Sequence, residues 1–144
     1  MLPDPWSELP GVPADFTLYR ASDFPTAWEP VATPISPDQE LHDCVLLRHE
    51  DRWWAFAGEG GECYAFYAED LETDDWTPHA DNPVVTNRLD AVRFVGRLIA
   101  CEDGFVLLFQ DCARRYGERV WAYEITELSP STAQATGVTI AELF

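Results

Sequence analysis

Short runs of apolar and aromatic residues alternate with turn-forming clusters along almost the whole chain. Runs that are rich in aromatic and β-branched residues predict β-strands, and Gly-, Pro- and Asp-rich clusters predict the turns between them. The predicted strands are Phe16–Ala21, Val45–His49, Trp53–Ala57, Cys63–Ala68, Val92–Ala100, Phe105–Gln110 and Val120–Ile125. No long window shows helical periodicity, so the pattern favours an all-β fold. The C-terminal Thr132–Phe144 fits either a strand or a short helix.

A pattern of aromatic and proline residues occurs twice, at a spacing of 47 to 49 residues. Its first copy is Tyr19–Phe24 with Trp28 and Pro34, and its second copy is Phe66–Leu71 with Trp76 and Pro83. A third, weaker copy begins at Ala122 and lacks the tryptophan. The hairpins that begin at Asp51 and Asp103 also match, 52 residues apart. A repeat of about 50 residues is typical of a four-stranded propeller blade.

The length then predicts a β-propeller-like arc of about three four-stranded antiparallel blades, since each blade takes about 50 residues. A β-sandwich or another all-β fold is the alternative. An arc of this size has fewer blades than a closed ring needs, and open strand edges favour association. We therefore expect self-association, or a partner chain that closes the propeller.

Composition and charge narrow the function classes. Hydrophobic residues make up 47% of the chain, which excludes intrinsic disorder. The net charge is -17 and all nine basic residues are arginine, so nucleic acid and anionic lipid surfaces are disfavoured as partners. This lysine-free, acidic composition favours a halophilic protein, with an ordinary acidic cytosolic protein as the alternative.

Targeting signals and metal motifs are not apparent in the sequence. The first 11 residues have no basic region followed by an apolar run, and no apolar stretch reaches 18 residues, so we expect a cytoplasmic protein without a membrane span. The four cysteines form no CxxC pair and lie in or beside apolar runs, which predicts buried, reduced thiols. These cysteines are Cys44, Cys63, Cys101 and Cys112. We expect no metal and no cofactor.

An ordered series of motifs carries a family resemblance. The motifs are Leu18–Ala21, Phe24-Pro25, Trp28, Asp43, Trp53-Trp54, Trp76 with His79 and Asn82-Pro83, Arg93–Gly96, Gln110-Asp111 and Tyr116-Gly117. Together they resemble the N-terminal domain of glucosamine inositolphosphorylceramide transferase and its prokaryotic relatives. That domain is similar to the five-bladed propeller of furanosidase-type glycoside hydrolases.

The resemblance implies one partial propeller domain over residues 1–144. Residues 15–128 carry the match, 1–14 form a proline-rich lead and 129–144 form a C-terminal extension. The family has further blades ahead of the segment that matches Leu18–Ala21, and in the related hydrolases these would supply the first catalytic carboxylate. Arg93 stands near the place of the hydrolases' general acid. The resemblance therefore implies a carbohydrate context more than catalysis.

Three candidate site residues lie at the beginning of predicted strands. Asp43 precedes Val45–His49 and could orient a sugar hydroxyl or tune the pKa of a neighbouring acid, or else simply cap a turn. His42 could donate to the same ligand or be satisfied within its loop. Arg93, within an apolar stretch, offers a planar fork to a carboxylate, a phosphate or vicinal hydroxyls. Its alternative is a structural ion pair with Asp43 or Asp111.

Three further candidates lie where the strand Phe105–Gln110 ends. Gln110 and Asp111 close an apolar strand abruptly, as residues that project into a cavity do, although an ordinary strand end is the alternative. The Gln110 amide both donates and accepts hydrogen bonds, which suits a sugar hydroxyl. Tyr116 belongs to a Tyr-Gly turn and offers a stacking surface.

These residues support three functions. The first is a carbohydrate-associated domain that binds a glycan or a sugar-containing acceptor without a complete catalytic set. The second is a furanosidase-like glycoside hydrolase that acts through Asp43 and Asp111. The third is a non-catalytic interaction scaffold. Neither the GxSxG motif nor the HExxH motif occurs in the sequence. Whether the chain is an enzyme therefore stays open. If it is one, we expect a glycoside hydrolase or a domain that accompanies a glycosyltransferase.

Overall fold

Antiparallel β-strands form the regular structure of the chain. The computed structural model describes residues 16–35, 41–88, 93–102, 104–111 and 113–138, and within these ranges every regular element is a strand. The strands are β1 (Leu18–Asp23), β2 (Ala27–Ala32), β3 (His42–His49), β4 (Arg52–Glu59), β5 (Glu62–Ala68), β6 (Thr77–Pro78), β7 (Arg93–Phe94), β8 (Ile99–Cys101), β9 (Gly104–Asp111), β10 (Arg119–Ser129) and β11 (Thr132–Val138). The all-β prediction is confirmed.

The strands form three sheets that follow one another along the chain. The first sheet is the β1–β2 hairpin, the second has the order β3-β4-β5-β6, and the third has the order β11-β10-β9-β7 with β8 also paired to β9. All the strand pairs are antiparallel. Antiparallel sheets of two, four and five strands in series are compatible with propeller blades, and the propeller arrangement itself stays a prediction.

Strands that contain a continuous run of apolar residues were predicted correctly from the sequence, and strands that lack such a run were not. The predicted single strand Val92–Ala100 is wrong in its described part, because Gly96 adopts a φ of +79° and separates β7 from β8. Both short strands nevertheless pair with β9. The strands β2 and β6 were missed, since their short segments contain proline and polar residues. The ambiguous C-terminal segment forms a strand as far as Val138, and residues 139–144 lie outside the described ranges.

The two copies of the repeat share one local structure. Tyr19 pairs with Pro30 in the first copy, and the equivalent Phe66 pairs with Pro78 in the second. In each copy the indole N–H donates to the carbonyl of the residue three positions earlier: Trp28 to Pro25 at 3.0 Å and Trp76 to Thr73 at 2.8 Å. The repeat is therefore structural as well as sequential. The weaker third copy differs, because there β10 turns directly into β11.

The central strand β4 is buried on both faces. Its Trp54, Ala55, Phe56 and Ala57 are each at most 1% exposed, and alternate side chains enter two different hydrophobic clusters. The first cluster joins the second and third sheets through Leu47, Trp54, Phe56, Cys63, Ala65, Leu107, Phe109, Tyr123, Ile125 and Leu128. The second cluster joins the segments that flank the first sheet to the second sheet, through Phe16, Ile35, Leu41, Ala55, Ala57, Phe66, Ala68 and Trp76.

Two polar side chains reinforce this packing. Asn82 closes two hydrogen bonds with the backbone of Ala65, donating from Nδ2 at 2.7 Å and accepting at Oδ1 at 2.8 Å. His79 is 3% exposed and accepts at Nδ1 from the Asp81 N–H at 3.0 Å, so its Nε2 carries the proton that it donates to the Ser129 carbonyl at 2.8 Å. The His79 bond ties the second sheet to β10 of the third.

We expect Asn82→Asp to lower the free energy of unfolding by about 1–3 kcal/mol. The substitution keeps the side-chain shape but replaces the donor to the Ala65 carbonyl with an acceptor. Urea unfolding of both proteins measures the change. Asn87→Asp, the same chemical change at an exposed site, serves as the control. Equal stability of the two variants would contradict the role of Asn82 as a backbone clamp.

The cysteines differ in their surroundings, and the prediction that all are buried is wrong for Cys101. Cys101 is exposed, Cys63 is fully buried and Cys44 is half-buried, and all three are free thiols. Burial raises the pKa of the Cys44 and Cys63 thiols well above the ordinary value. Cys112 lies outside the described residues.

We expect an alkylating reagent at neutral pH to modify Cys101 in the folded protein while sparing Cys44 and Cys63. The raised pKa leaves Cys44 and Cys63 with almost no thiolate, and the burial of Cys63 also limits access of the reagent. Peptide mapping by mass spectrometry locates the modified sites, and denaturant should make all three reactive. Modification of Cys63 as fast as Cys101 in the folded state would contradict the packing of the first cluster.

Candidate functional site

An ion pair joins the second and third sheets where β3 begins. Arg93 Nε of β7 lies 2.7 Å from Asp43 Oδ2, and the two side chains are 24% and 21% exposed. The Nε–H makes no hydrogen bond to a described residue, so the contact is an ion pair without a linear N–H···O arrangement. The structure thus brings together two of the residues that the sequence nominated, in the pairing that was one alternative for Arg93.

The backbone of Asp43 explains how its carboxylate reaches β7. Asp43 has a φ of +52°, in the left-handed region, and the β3–β4 register shifts between His42 and Val45. Aspartate tolerates this conformation better than most residues do, and a bulge of this kind redirects a side chain. His42 is the first residue of β3 and pairs with Gly58 across the bulge. It lies beside Asp43 in the chain and is half-buried.

Gln110 and Tyr116 complete the group around Arg93. Gln110 lies directly opposite Arg93 in the β7–β9 register. The turn after β9 brings Gly117 back beside the Gln110 side chain: a methyl group placed on Gly117 would lie 3.5 Å from Gln110 Nε2. Tyr116 is 76% exposed, and its ring centroid lies 5.9 Å from Arg93 Cζ, a cation–π distance. We call Asp43, Arg93, Gln110 and Tyr116 the Arg93 cluster.

Asp111 plays a different part from that of its neighbour Gln110. It is 8% exposed, and its carboxylate accepts the Ala113 N–H at 2.9 Å and the Trp121 indole N–H at 3.2 Å. Asp111 lies on the same side of β9 as Phe109, two residues earlier, and Phe109 pairs with Trp121 of β10. Asp111 and Trp121 therefore share one side of the sheet. The contacts hold the turn that carries Tyr116. Asp111 is thus a positioning residue, and its link to Trp121 is one that sequence reasoning missed.

A cavity of about 330 Å³ lies at the opposite end of β9 from the Arg93 cluster. Its lining residues are His49, Cys101, Glu102, Gly104, Phe105, Ile125, Thr126, Glu127 and Leu128. None of the sequence-nominated site residues is among them. Gln110 and Asp111 were expected to project into a cavity, but they do not line this cavity. It lies at the beginning of β9, whereas Gln110 and Asp111 lie at its end.

The described part of the chain has no group of three or more His, Cys, Asp or Glu side chains placed to hold a metal ion. The same ranges contain no helix that is long and apolar enough to cross a membrane. A guanidinium, a carboxylate, an amide and an aromatic ring can bind a polar molecule through hydrogen bonds and stacking.

Three antiparallel sheets with a polar cluster at one inter-sheet junction define an all-β domain. The family described as glucosamine inositolphosphorylceramide transferase 1, N-terminal, matches residues 8–142 of this chain. The chain belongs to that family, and this is the family that its motifs resemble. No curated protein and no solved structure matches the chain. The family description associates the domain with a glycosyltransferase.

We expect Asp43 and Arg93 to couple by about 1 kcal/mol in a double-mutant cycle of Asp43→Asn and Arg93→Gln. Asparagine tolerates the left-handed backbone at position 43, so the first variant removes charge without adding strain. Urea unfolding of the four proteins gives the coupling. It should shrink in molar KCl, because the Debye length falls to about 3 Å. Additive effects of the two substitutions would show that the pair contributes nothing.

Proposed function

We propose that this domain binds a sugar-containing molecule at the Arg93 cluster and has no complete catalytic set of its own. One observation carries the proposal: the Arg93 guanidinium contacts the Asp43 carboxylate at 2.7 Å and lies 5.9 Å from the centroid of the exposed Tyr116 ring. Such an arrangement places a donor fork, an acceptor and an aromatic face within reach of one ligand.

The polar groups suit vicinal hydroxyls. The contact with Asp43 uses Nε of Arg93, and neither Nη group makes a hydrogen bond to a residue that the structure describes. Two neighbouring hydroxyls can accept from those Nη groups while a third donates to the Asp43 carboxylate. The Gln110 amide, opposite Arg93, can donate and accept.

The aromatic face supplies the apolar part of the contact. A sugar ring has a C–H face that packs against an aromatic ring, and Tyr116 is 76% exposed. The turn that carries it is fixed at its base by Asp111, so the ring is held near Arg93 before a ligand arrives. A prearranged site loses less entropy on binding.

The family description supports the proposed ligand class. Its description names glucosamine and inositolphosphorylceramide, which bear an amino sugar and an inositol ring. Both rings carry neighbouring hydroxyls of the kind that the Arg93 cluster suits. For this chain the proposal is therefore an acceptor-binding or glycan-binding domain that accompanies a glycosyltransferase.

Hydrolysis through Asp43 and Asp111 is the weaker alternative. A glycoside hydrolase needs one carboxyl group to donate a proton and another to attack or to activate water. Asp43 is paired with Arg93, and Asp111 accepts two N–H groups that hold a turn in place. These structural contacts favour binding over catalysis.

The test is a calorimetric titration with glucosamine, myo-inositol and myo-inositol 1-phosphate in molar KCl. Arg93→Lys keeps the charge but removes the planar fork, and Tyr116→Ala removes the stacking face. We expect each to weaken binding about tenfold or more, the equivalent of about 1.4 kcal/mol. The control is Arg48→Lys, because Arg48 also lies over an aromatic ring, 5.6 Å from the centroid of Trp53, but near the other end of β3.

Binding that is weakened in Arg93→Lys and in Tyr116→Ala, but kept in Arg48→Lys, supports the proposal. Wild-type protein that binds none of the three compounds contradicts it, as does equal weakening by Arg48→Lys. Release of sugar from an aryl furanoside by wild-type protein, abolished by Asp111→Asn, would replace binding with the hydrolase alternative.

A further inference from the structure

The cavity at the beginning of β9 is built from two sheets, and the site proposed above does not use it. Its volume of about 330 Å³ is within the range of small-molecule sites. His49 ends β3 of the second sheet, whereas Phe105 of β9 and Ile125 of β10 belong to the third. The cavity therefore lies at the junction of these two sheets. We call it the β9 cavity.

A bulge in β10 forms one wall of the β9 cavity. The β10–β11 register shifts between Ile125 and Glu127, so Thr126 pairs with no residue of β11. Ile125 and Leu128 are buried in the first cluster, whereas Thr126 and Glu127 between them are exposed. In a regular strand Glu127 would share the buried side with Ile125, because side chains two residues apart lie on one side. The bulge thus turns Glu127 outward, where it lines the cavity.

The turn between β8 and β9 forms another wall, and Gly104 allows it to approach β10. A methyl group placed on Gly104 would overlap the carbonyl oxygen of Ile125. Any other residue at this position would therefore push the turn away from β10. The same turn carries Cys101 and Glu102, which also line the cavity.

The lining combines carboxylates with an aromatic surface. Glu102 and Glu127 are exposed, and within the described ranges neither takes part in an ion pair. No arginine is among the described residues that line the cavity. His49 and Phe105 are both half-buried, and their rings meet edge to face at a centroid distance of 4.8 Å. The cavity thus offers two negative charges beside aromatic rings.

We propose that the β9 cavity binds a small organic amine, with the ammonium group beside Glu102 and Glu127 and the apolar body against Phe105. Carboxylates attract the ammonium group, and the face of an aromatic ring attracts it as well. A metal ion suits the cavity less, because no three His, Cys, Asp or Glu side chains of the described residues are placed to hold one. An organic cation also uses the apolar lining, which an inorganic cation does not.

The test is a calorimetric titration of the whole chain with benzylamine, which is a cation at neutral pH, and with benzyl alcohol, a neutral molecule of similar shape. We expect benzyl alcohol to bind about tenfold more weakly or not at all, because it lacks the charge. Benzylamine should bind more weakly in molar KCl than in about 0.1 M KCl, since salt screens exposed charges. Nα-acetyl-lysine methylamide, an ammonium group on a flexible chain, should bind more weakly than benzylamine because its chain loses more entropy.

Two variants test the carboxylates. Glu102→Gln and Glu127→Gln should each weaken benzylamine binding about fivefold, and both positions are exposed, so the fold tolerates the change. Glu69→Gln makes the same change at an exposed position outside the cavity and should have no effect. In ¹⁵N spectra of the wild type, the backbone N–H signals of Phe105 and Thr126 should shift together and saturate.

Four results would overturn the proposal. The first is a wild type that does not bind benzylamine. The second is equal affinity for benzyl alcohol, since apolar contact alone would then explain binding. The third is equal weakening by Glu69→Gln, since the net charge and not the cavity would then attract the amine. The fourth is tighter binding of the lysine derivative, which would assign the cavity to a protein partner.

Titration with myo-inositol separates this proposal from the function proposed above, on which it does not rest. Myo-inositol carries no amine, and the β9 cavity lies at the opposite end of β9 from the Arg93 cluster. Protein that binds myo-inositol but not benzylamine would overturn the amine site and leave the sugar site intact. Protein that binds benzylamine but neither glucosamine nor an inositol at the Arg93 cluster would do the reverse.

Discussion

The burial of both faces of β4 is the constraint on which the rest of the structure depends. The large side chains of Trp54 and Phe56 fill the junction with the third sheet. On the other side, Ala55 and Ala57 enter the second cluster, together with residues that flank the first sheet. A strand with this alternation of large and small residues cannot shift by one position without exchanging its two faces. The order of the three sheets follows from this single strand.

The Arg93 cluster is a consequence of that packing. The first cluster holds β3 against β7, and at the end of this contact the apolar residues give way to Asp43 and Arg93. The charged pair lies where the inter-sheet core meets solvent, half-buried, so it is screened less than a surface pair is. Asp111 then fixes the turn that carries Tyr116. Core packing thus assembles a polar site from segments that are far apart in sequence.

Some of this could be predicted from the sequence, for reasons that can be named. The repeat was evident because tryptophan and proline recur at fixed spacing, and the structure reproduces it as a shared register. The strands β2 and β6 were not evident, since edge strands need little apolar pattern. Arg93 was nominated because an arginine within an apolar stretch offers a planar fork to a ligand, and an ion pair with a nearby acid was the alternative. The acid that pairs with Arg93 is Asp43, which lies on a different sheet. The residues around Arg93 in the sequence cannot predict this pairing, because it depends on how the two sheets pack.

The most direct test of the site is an NMR titration of uniformly ¹⁵N-labelled protein with glucosamine and myo-inositol in molar KCl. The account predicts that the Nε resonance of Arg93 and the side-chain amide of Gln110 shift together and saturate, while the Nε resonance of Arg48 stays in place. Arg93 Nε that does not respond to either compound, or that moves no more than Arg48 Nε, would contradict the account.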